Sequence, residues 1–259
     1  MSTTGSGLKV ATLEDHSPIT RVAAVVKSSA IDETHGQLGA SHALRVCSSL
    51  ATRNYSQFGL SRNLNQIGAE LTITSNREET TYLLEATRDH LWVVTRYSYW
   101  NSYLVFLIIY FNRSRGVDIL AEIISRPELR HWEVSDAKER LNFDLDVFDQ
   151  RPELKAVELI HKAAFRNGLD KSLYAPRFNL GNLNSATLED FRSKTFTSNN
   201  LTLIGTGLKH EDLVHYSDLF RLSGDAGVAR AKSAYNGGEI REENTSQLVH
   251  VILAAEGAK

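Results

Sequence analysis

A histidine, His42, opens the stretch of this sequence whose residue types come closest to a metal site. It lies near the start of the run 39–50, in which apolar residues recur at helical spacing. A zinc-peptidase helix of the type His-x-x-Glu-His would place a glutamate three residues after this histidine and a second histidine four residues after it, around one metal ion. Those two positions hold Arg45 and Val46. The run therefore indicates either an unrelated helix or a peptidase site that has lost its chemistry.

The composition of the chain excludes some classes of function but indicates none. The 259 residues carry a formal net charge of -2 and are 42% hydrophobic, which is enough apolar material for a full core. The basic residues are scattered, so we expect no binding of nucleic acid or of an anionic membrane surface. The one cysteine, Cys47, excludes an internal disulfide and is expected to be a small core residue. The first seven residues contain no apolar signal core and no arginine-rich helix, so we predict no targeting segment there.

The elements that must position His42 follow an order typical of an α+β domain. Two strand-like runs precede the helix at 39–50 as a predicted hairpin, and a second strand pair follows a second helix. The expected elements are strands 8–13 and 19–27, helices 39–50 and 58–67, and strands 70–74 and 80–86. Because the strands come in consecutive pairs rather than alternating with helices, we predict an α+β fold with an antiparallel sheet flanked by helices.

The later part of the chain is expected to be mainly helical. Its predicted elements are helices 130–149, 154–165, 187–196 and 210–222, with one strand at 201–207. That strand ends in Gly205-Thr206-Gly207, but the third glycine of a dinucleotide-binding fingerprint is missing. We therefore interpret it as a strand-to-helix turn and expect no bound dinucleotide.

The segment 91–116 differs abruptly from both flanks, because it concentrates two of the three tryptophans and many other aromatic residues. Its uninterrupted apolar part, 103–111, is shorter than the roughly 20 residues of a membrane span. When the segment is left out, residues 87–90 join 117–124 as one amphipathic helix, so we expect an insertion that splits a helix. Its Phe, Ile, Tyr and Asn residues have A/T-rich codons, which favours a translated intron or a gene-model error. An ordinary insertion loop is the alternative, and sequencing the transcript would decide.

A combination of short runs covers nearly the whole chain apart from its start and the segment 91–116. The runs are 39–50, 65–71, 75–78, 130–134, 159–165, 173–176, 203–207 and 235–242. Together they resemble the amino-terminal domain of the pitrilysin and mitochondrial processing peptidase family. Within that family they are similar to the branch formed by the core subunits of mitochondrial respiratory complex III.

The resemblance implies a degenerate metal site. Active members of the family hold zinc with the inverted motif His-x-x-Glu-His and a more distant glutamate. His42 matches the first ligand, Arg45 takes the position of the catalytic glutamate, and Val46 replaces the second histidine. Asp144 falls near the distant glutamate once the insertion is discounted. Because a guanidinium repels a cation and cannot accept a proton, we expect no catalytic residue, no tightly bound zinc and no other cofactor.

The resemblance also implies a structural role and a place in the cell. Core subunits of this kind pair with a second core subunit and contact other subunits of respiratory complex III on the matrix face of the mitochondrial inner membrane. We accordingly expect a non-catalytic scaffold with no membrane span of its own and no nucleic-acid partner. His42 is expected to be a partly buried histidine bonded to neighbouring backbone.

Three regions are predicted along the chain. Residues 1–222, interrupted by 91–116, would form a metallopeptidase-like domain. Residues 223–238 are rich in Gly, Ala and Ser and read as a linker. Residues 239–259 contain two strand-like runs, expected to be the truncated start of a second, similar domain.

Two alternatives to the scaffold remain open. A zinc-dependent processing-type metalloendopeptidase would bind one equivalent of zinc and lose peptide cleavage on chelation or in His42→Ala. A truncated product without independent function is the other, which the segment 91–116 and the missing remainder of a second domain favour.

Overall fold

The computed structural model describes residues 1–5, 7–87, 115–225, 227, 228, 230, 232–243 and 248–255. Strands and helices in these ranges follow one another along the chain. The strands are β1 (Ser2–Thr3), β2 (Lys9–Leu13), β3 (Ile19–Val26), β4 (Glu70–Ser75), β5 (Thr80–Thr87), β6 (Phe165–Arg166), β7 (Leu201–Thr206) and β8 (Ala234–Tyr235). The α-helices are α1 (Ala40–Cys47), α2 (Gln57–Gln66), α3 (Arg115–Ser125), α4 (His131–Asp149), α5 (Pro152–Ala164), α6 (Ser185–Thr195) and α7 (His210–Ser217).

The described strands form one six-stranded sheet, in the order β1-β2-β7-β3-β5-β4, and a small pair, β6-β8. Every neighbouring pair in the large sheet is antiparallel except β2 and β7, which are parallel. Helices pack against it, with α1 contacting β4 and α3 contacting β5. The predicted α+β fold with a sheet flanked by helices is therefore confirmed.

The predicted hairpin of the first two strands is wrong. Strand β7 lies between β2 and β3 and pairs with both of them. The connection 14–18 must therefore cross two strand spacings, about 10 Å, which five residues span easily. The second predicted hairpin, β4 with β5, is confirmed by its antiparallel register.

One face of the sheet forms the core. The row Val10, Leu203, Ala24 and Tyr82 runs across β2, β7, β3 and β5, and all four side chains are buried. Their neighbours along each strand point to the opposite, partly exposed face, as the period of two requires. The helices must therefore cover the buried face, and α1 is one of them.

The middle of the chain differs in part from expectation. Thr87, predicted to belong to a split helix, is the last residue of β5 and pairs with Ile19. Residues 88–114, which hold most of the predicted insertion 91–116, lie outside the described residues. The continuation of the predicted helix is present as α3, with its inward side chains buried at Val117, Leu120, Ile123 and Ile124.

The last described residues form little regular structure. Strand β8 pairs antiparallel with β6, joining Tyr235 to Phe165. The runs 239–243 and 247–253 were expected as strands. Their described residues, 239–243 and 248–253, are not in strands and pair with no strand in the described ranges. Within the described ranges, no helix combines the length and the apolar character needed to cross a membrane.

Candidate metal site at helix α1

Helix α1, which carries His42, is buried on almost all sides. All of its eight residues are buried except Arg45, which is partly exposed. It contacts α4 on one side and α6 on another. A helix enclosed in this way holds its side chains in fixed positions, so the geometry around His42 is set by packing.

Gly39 lets a distant loop approach the start of α1. This residue is the N-cap of the helix and has a φ of +89°, in the left-handed region that favours glycine. A Cβ at this position would lie 2.4 Å from the Cβ of Ala175 and 2.6 Å from its Cα. Only glycine therefore allows the backbone of Ala175 to lie against the helix beside His42.

The imidazole of His42 has one hydrogen-bond partner at each ring nitrogen. The backbone N–H of Ala175 donates to Nδ1 over 3.2 Å. Because Nδ1 accepts this bond, the neutral ring carries its proton on Nε2, which lies 3.4 Å from the Oδ2 oxygen of Asp144 on α4. The structure thus brings together His42 and Asp144, the two candidate ligands identified from the sequence.

Aromatic rings close the remaining side of the site. Tyr174 meets the ring of His42 edge-on, with centroids 5.5 Å apart, and Phe148 stacks on Tyr174 at 4.2 Å. His42 itself is 0% exposed, whereas the side chain of Asp144 is 34% exposed. The fully buried imidazole is therefore bonded to a partly exposed carboxylate.

The surroundings favour the neutral form of His42. Burial, which penalises the charged ring, and then the positive charge of Arg45 lower the pKa of His42 from 6.5 to about 4. The hydrogen bond and the charge of Asp144 act in the opposite direction but are weaker. At neutral pH the ring is uncharged.

Val46, the remaining predicted site position, packs into the core together with its neighbour Cys47. Val46 is 7% exposed and Cys47 is 2% exposed, and both belong to the hydrophobic core. Burial raises the pKa of the Cys47 thiol to about 12, so it stays protonated. The expectation that Cys47 is a small core residue is confirmed.

The described residues around His42 offer two candidate zinc ligands, His42 and Asp144. In the described part of the chain, no three His, Cys, Asp or Glu side chains lie close enough to share a metal, and catalytic zinc normally has three protein ligands. A histidine that binds zinc usually donates its second ring N–H to an acceptor. His42 instead accepts an N–H at Nδ1, so its proton occupies Nε2, the nitrogen that faces Asp144.

A second buried ionisable group, Glu33, lies at the start of α1 and was not identified from the sequence. Its Oε2 accepts the N–H of Gly39, and its Oε1 accepts the N–H and the hydroxyl of Ser41, each at 2.8 Å. Burial raises the pKa of Glu33, and these hydrogen bonds and the charge of Lys171 oppose the increase. An acidic residue shortly before a helix start is a weak signal for such a role.

Glu33 belongs to a larger group of connected polar residues, which we call the Glu33 network: Glu33, Ser41, Lys171, Arg77 and Glu158. The ammonium of Lys171 donates to the backbone oxygen of Glu33, and the carbonyl of Lys171 accepts from Arg77 at 2.7 Å. Arg77 also forms a two-bond ion pair with Glu158, whose shorter contact is 2.8 Å. This network joins α5 and the 167–173 loop to the start of α1.

Comparison with known proteins places this fold in a family. The family model described as insulinase, peptidase family M16, matches residues 9–177. The chain belongs to the insulinase family of peptidases. The resemblance predicted from the short motifs is therefore confirmed, since mitochondrial processing peptidase subunits are among the relatives.

Among the curated M16 relatives are proteins of two kinds. The human mitochondrial cytochrome b-c1 complex subunit 2 is 34% identical over 254 residues, which cover 98% of this chain and 51% of that protein. The corresponding rat protein is 32% identical over the same shares. The alpha subunit of the mitochondrial processing peptidase of Solanum tuberosum is 25% identical over 99% of this chain and 47% of that protein. The chain spans about half the length of the relatives it matches.

Proposed function

We propose that this M16 chain is a non-catalytic structural subunit of mitochondrial respiratory complex III. The observation that carries the proposal is the 34% identity to human cytochrome b-c1 complex subunit 2 along 98% of the chain. The proposed place is the matrix face of the inner membrane, and the proposed partners are a second core subunit and other subunits of the complex. Its role would be to support assembly of ubiquinol-cytochrome c reductase.

The arrangement around His42 supports a non-catalytic role. Hydrolysis of a peptide bond by a metallopeptidase needs a metal that activates water and a group that accepts the proton of that water. Arg45 stands where the family motif has its glutamate, and a guanidinium cannot accept a proton at physiological pH. We therefore propose that the zinc motif is lost at Arg45 and Val46, and that His42 and Asp144 act as packing and hydrogen-bonding residues.

We also propose a division of the chain into a peptidase-like domain at 1–222, a linker at 223–238, and the opening of a second, similar domain from 239. The length of the relatives, about twice that of this chain, supports it. Limited proteolysis would test this division: early cleavage is expected within 223–238. Initial cleavage inside the described helices of 1–222 would argue against it.

The alternative function is a zinc-dependent processing-type metalloendopeptidase. It is favoured by the 3.4 Å distance between His42 and Asp144 and by the similarity to processing peptidase subunits. One equivalent of bound zinc, together with peptide cleavage that is abolished by a chelator and by His42→Ala, would establish it in place of the scaffold.

Native electrophoresis of mitochondrial membranes tests the proposed function. The endogenous protein, detected with an antibody, is expected to migrate with the cytochrome subunits of complex III and to co-purify with them in mild detergent. Depletion of the protein is expected to lower the amount of assembled complex. Migration as a free species, with complex III at its normal amount after depletion, would refute the scaffold proposal.

A further inference from the structure

A surface pocket lies away from His42, between the turn after α1, the turn after α3 and the start of α6. A backbone bridge between Thr52 and Pro127 holds the first two segments together. The pocket measures about 630 Å³, within the range of small-molecule sites. Its lining combines apolar surface from Pro127, Leu129 and Ala186 with polar residues, which are Arg53, Ser125, Arg126, Glu128, Ser185, Glu189 and Arg192.

Two hydroxyl groups in this lining have no hydrogen-bond partner among the residues that the structure describes. Ser125 is 8% exposed, and its Oγ is buried without a partner among the described residues. The Oγ of Ser185 is buried and equally without a partner there. Because an unsatisfied buried hydroxyl destabilises the fold, a ligand that accepts from both groups would offset that cost.

The start of α6 adds two backbone donors beside Ser185. The side chain of Asn184 accepts the N–H of Thr187, and its backbone oxygen accepts the N–H of Leu188. The N–H groups of Ser185 and Ala186 have no acceptor within the described ranges. The N-terminus of an 11-residue helix therefore presents free amides and a partial positive charge to the pocket.

Three arginines supply the positive charge of the pocket. Arg192 is paired with Glu189 and also donates to backbone oxygens at the end of α3, and Arg126 is paired with Glu122. The guanidinium of Arg53, in contrast, makes no ion pair with any residue that the structure describes. It is the cation that remains available to a ligand.

We propose that this pocket binds a phosphate group, as the free ion or as a monoester. The donors are two hydroxyls, two backbone amides and the guanidinium of Arg53, and they come from three separate segments. A planar carboxylate offers about four acceptor sites, fewer than this set can fill, whereas a tetrahedral phosphate offers more oxygens in more directions. Binding at a helix start together with an arginine is the usual recognition of such anions.

Thermal unfolding of the full chain in the presence of inorganic phosphate tests the proposal, with chloride at equal ionic strength as the reference. Phosphate is expected to raise the unfolding temperature of the wild type as its concentration passes the dissociation constant. Arg53→Gln is expected to weaken phosphate binding at least about tenfold, and Ser125→Ala about three- to tenfold. A comparison of inorganic phosphate with glycerol 3-phosphate distinguishes the two forms of the ligand. Tighter binding of glycerol 3-phosphate indicates that the pocket binds a phosphate monoester rather than the free ion.

Arg62→Gln provides the matched control, because Arg62 is an exposed arginine on α2 outside the pocket. It should bind phosphate as the wild type does. Without phosphate, Ser125→Ala should be as stable as the wild type or slightly more stable, since it removes an unsatisfied hydroxyl. The proposal is overturned if phosphate acts no differently from chloride, or if Arg53→Gln and Ser125→Ala bind it unchanged.

Discussion

Helix α1 begins between two buried ionisable groups that are bonded very differently. The Glu33 carboxylate accepts three hydrogen bonds of 2.8 Å from Gly39 and Ser41. The His42 imidazole has one bond of 3.2 Å and one contact of 3.4 Å to a partly exposed carboxylate. Glu33 is thus saturated by neighbours that also define the helix start, whereas His42 is held mainly by the packing around it.

This difference shows two ways in which a fold accommodates a buried ionisable group. A fully satisfied network fixes backbone segments relative to one another, so its removal is expected to affect stability strongly. A loosely bonded imidazole in a closed site destabilises the folded state little at neutral pH, where it is uncharged. It destabilises the folded state at acidic pH, where burial opposes its protonation. The following experiments test this contrast, from the largest expected effect to the smallest.

Removing Arg77 from the Glu33 network is expected to have the largest effect. Its side chain is 8% exposed and that of its partner Glu158 is 13% exposed, so Arg77→Ala leaves a buried carboxylate without its cation. We expect a loss of about 3–5 kcal/mol in the free energy of unfolding, measured by urea denaturation.

The ion pair of Arg21 with Glu85 is the matched control for Arg77. Its side chains are 54% and 31% exposed, so Arg21→Ala should cost no more than about 1 kcal/mol. Equal losses in Arg77→Ala and Arg21→Ala would show that the Glu33 network does not hold the fold together.

His42 is expected to make stability depend on pH. The pKa of His42 is lowered in the folded state from 6.5 to about 4. As the pH decreases below 6.5, the unfolded chain therefore binds a proton at this residue that the folded chain binds only near pH 4. The contribution of neutral His42 to the free energy of unfolding is fully present above pH 6.5. It decreases by about 3 kcal/mol as the pH falls to about 4. His42→Asn, whose side-chain oxygen can still accept from Ala175, should flatten this part of the curve of unfolding free energy against pH.

The exposed His16 provides the comparison for His42. His16→Asn should leave the pH dependence as it is in the wild type. A curve that is the same for the wild type and His42→Asn between pH 4 and 6.5 would mean that the histidine is protonated as easily in the folded state as in the unfolded one.

A conservative change at Glu33 should have a smaller effect than the loss of Arg77. Glu33→Gln keeps the shape of the side chain but replaces one accepting oxygen by a donor, which then faces an N–H of the helix start. We expect a loss of about 1–3 kcal/mol in the free energy of unfolding. Glu14→Gln, on an exposed turn, should change stability negligibly, and a similar result for both variants would contradict the structural role of Glu33.

Zinc should have the smallest effect of all. Because His42 presents its protonated nitrogen to Asp144 and no third ligand lies near in the described residues, micromolar zinc is expected to leave the unfolding temperature unchanged. The measurement is a thermal scan with zinc, repeated with a chelator and with His42→Ala. A rise with zinc that disappears in that variant would reveal a functional metal site.

Local patterns predicted much of the fold. Strand alternation located β4 and β5 and their hairpin, and helical periodicity located α4 to α6 within a few residues. The place of β7 between β2 and β3 was missed, because two strands that are consecutive in sequence most simply pair with each other. The residue pattern of 8–27 does not indicate a partner strand near residue 203. Strand order depends on contacts between distant segments, which periodicity does not contain.

The candidate site was predictable only in part. His42, Arg45 and Val46 follow from the spacing of one motif, and Asp144 came from the family resemblance. The N–H of Ala175, which decides the tautomer of His42, lies 133 residues away, and the Glu33 network spans four segments. Such partners are ordinary loop residues by type, and only the fold brings them to the helix.

The central position of β7 has a consequence for the order of folding. Strand β2 pairs with residues 193 positions later in the chain and β3 with residues 175 to 185 positions later, so neither gains its shared neighbour until β7 has been synthesised. Closing so long a loop is entropically costly and slow, and until it closes both strands expose unpaired edges. During synthesis the first strands would therefore leave the ribosome well before their partner, and this interval is when binding by a chaperone would protect the chain most.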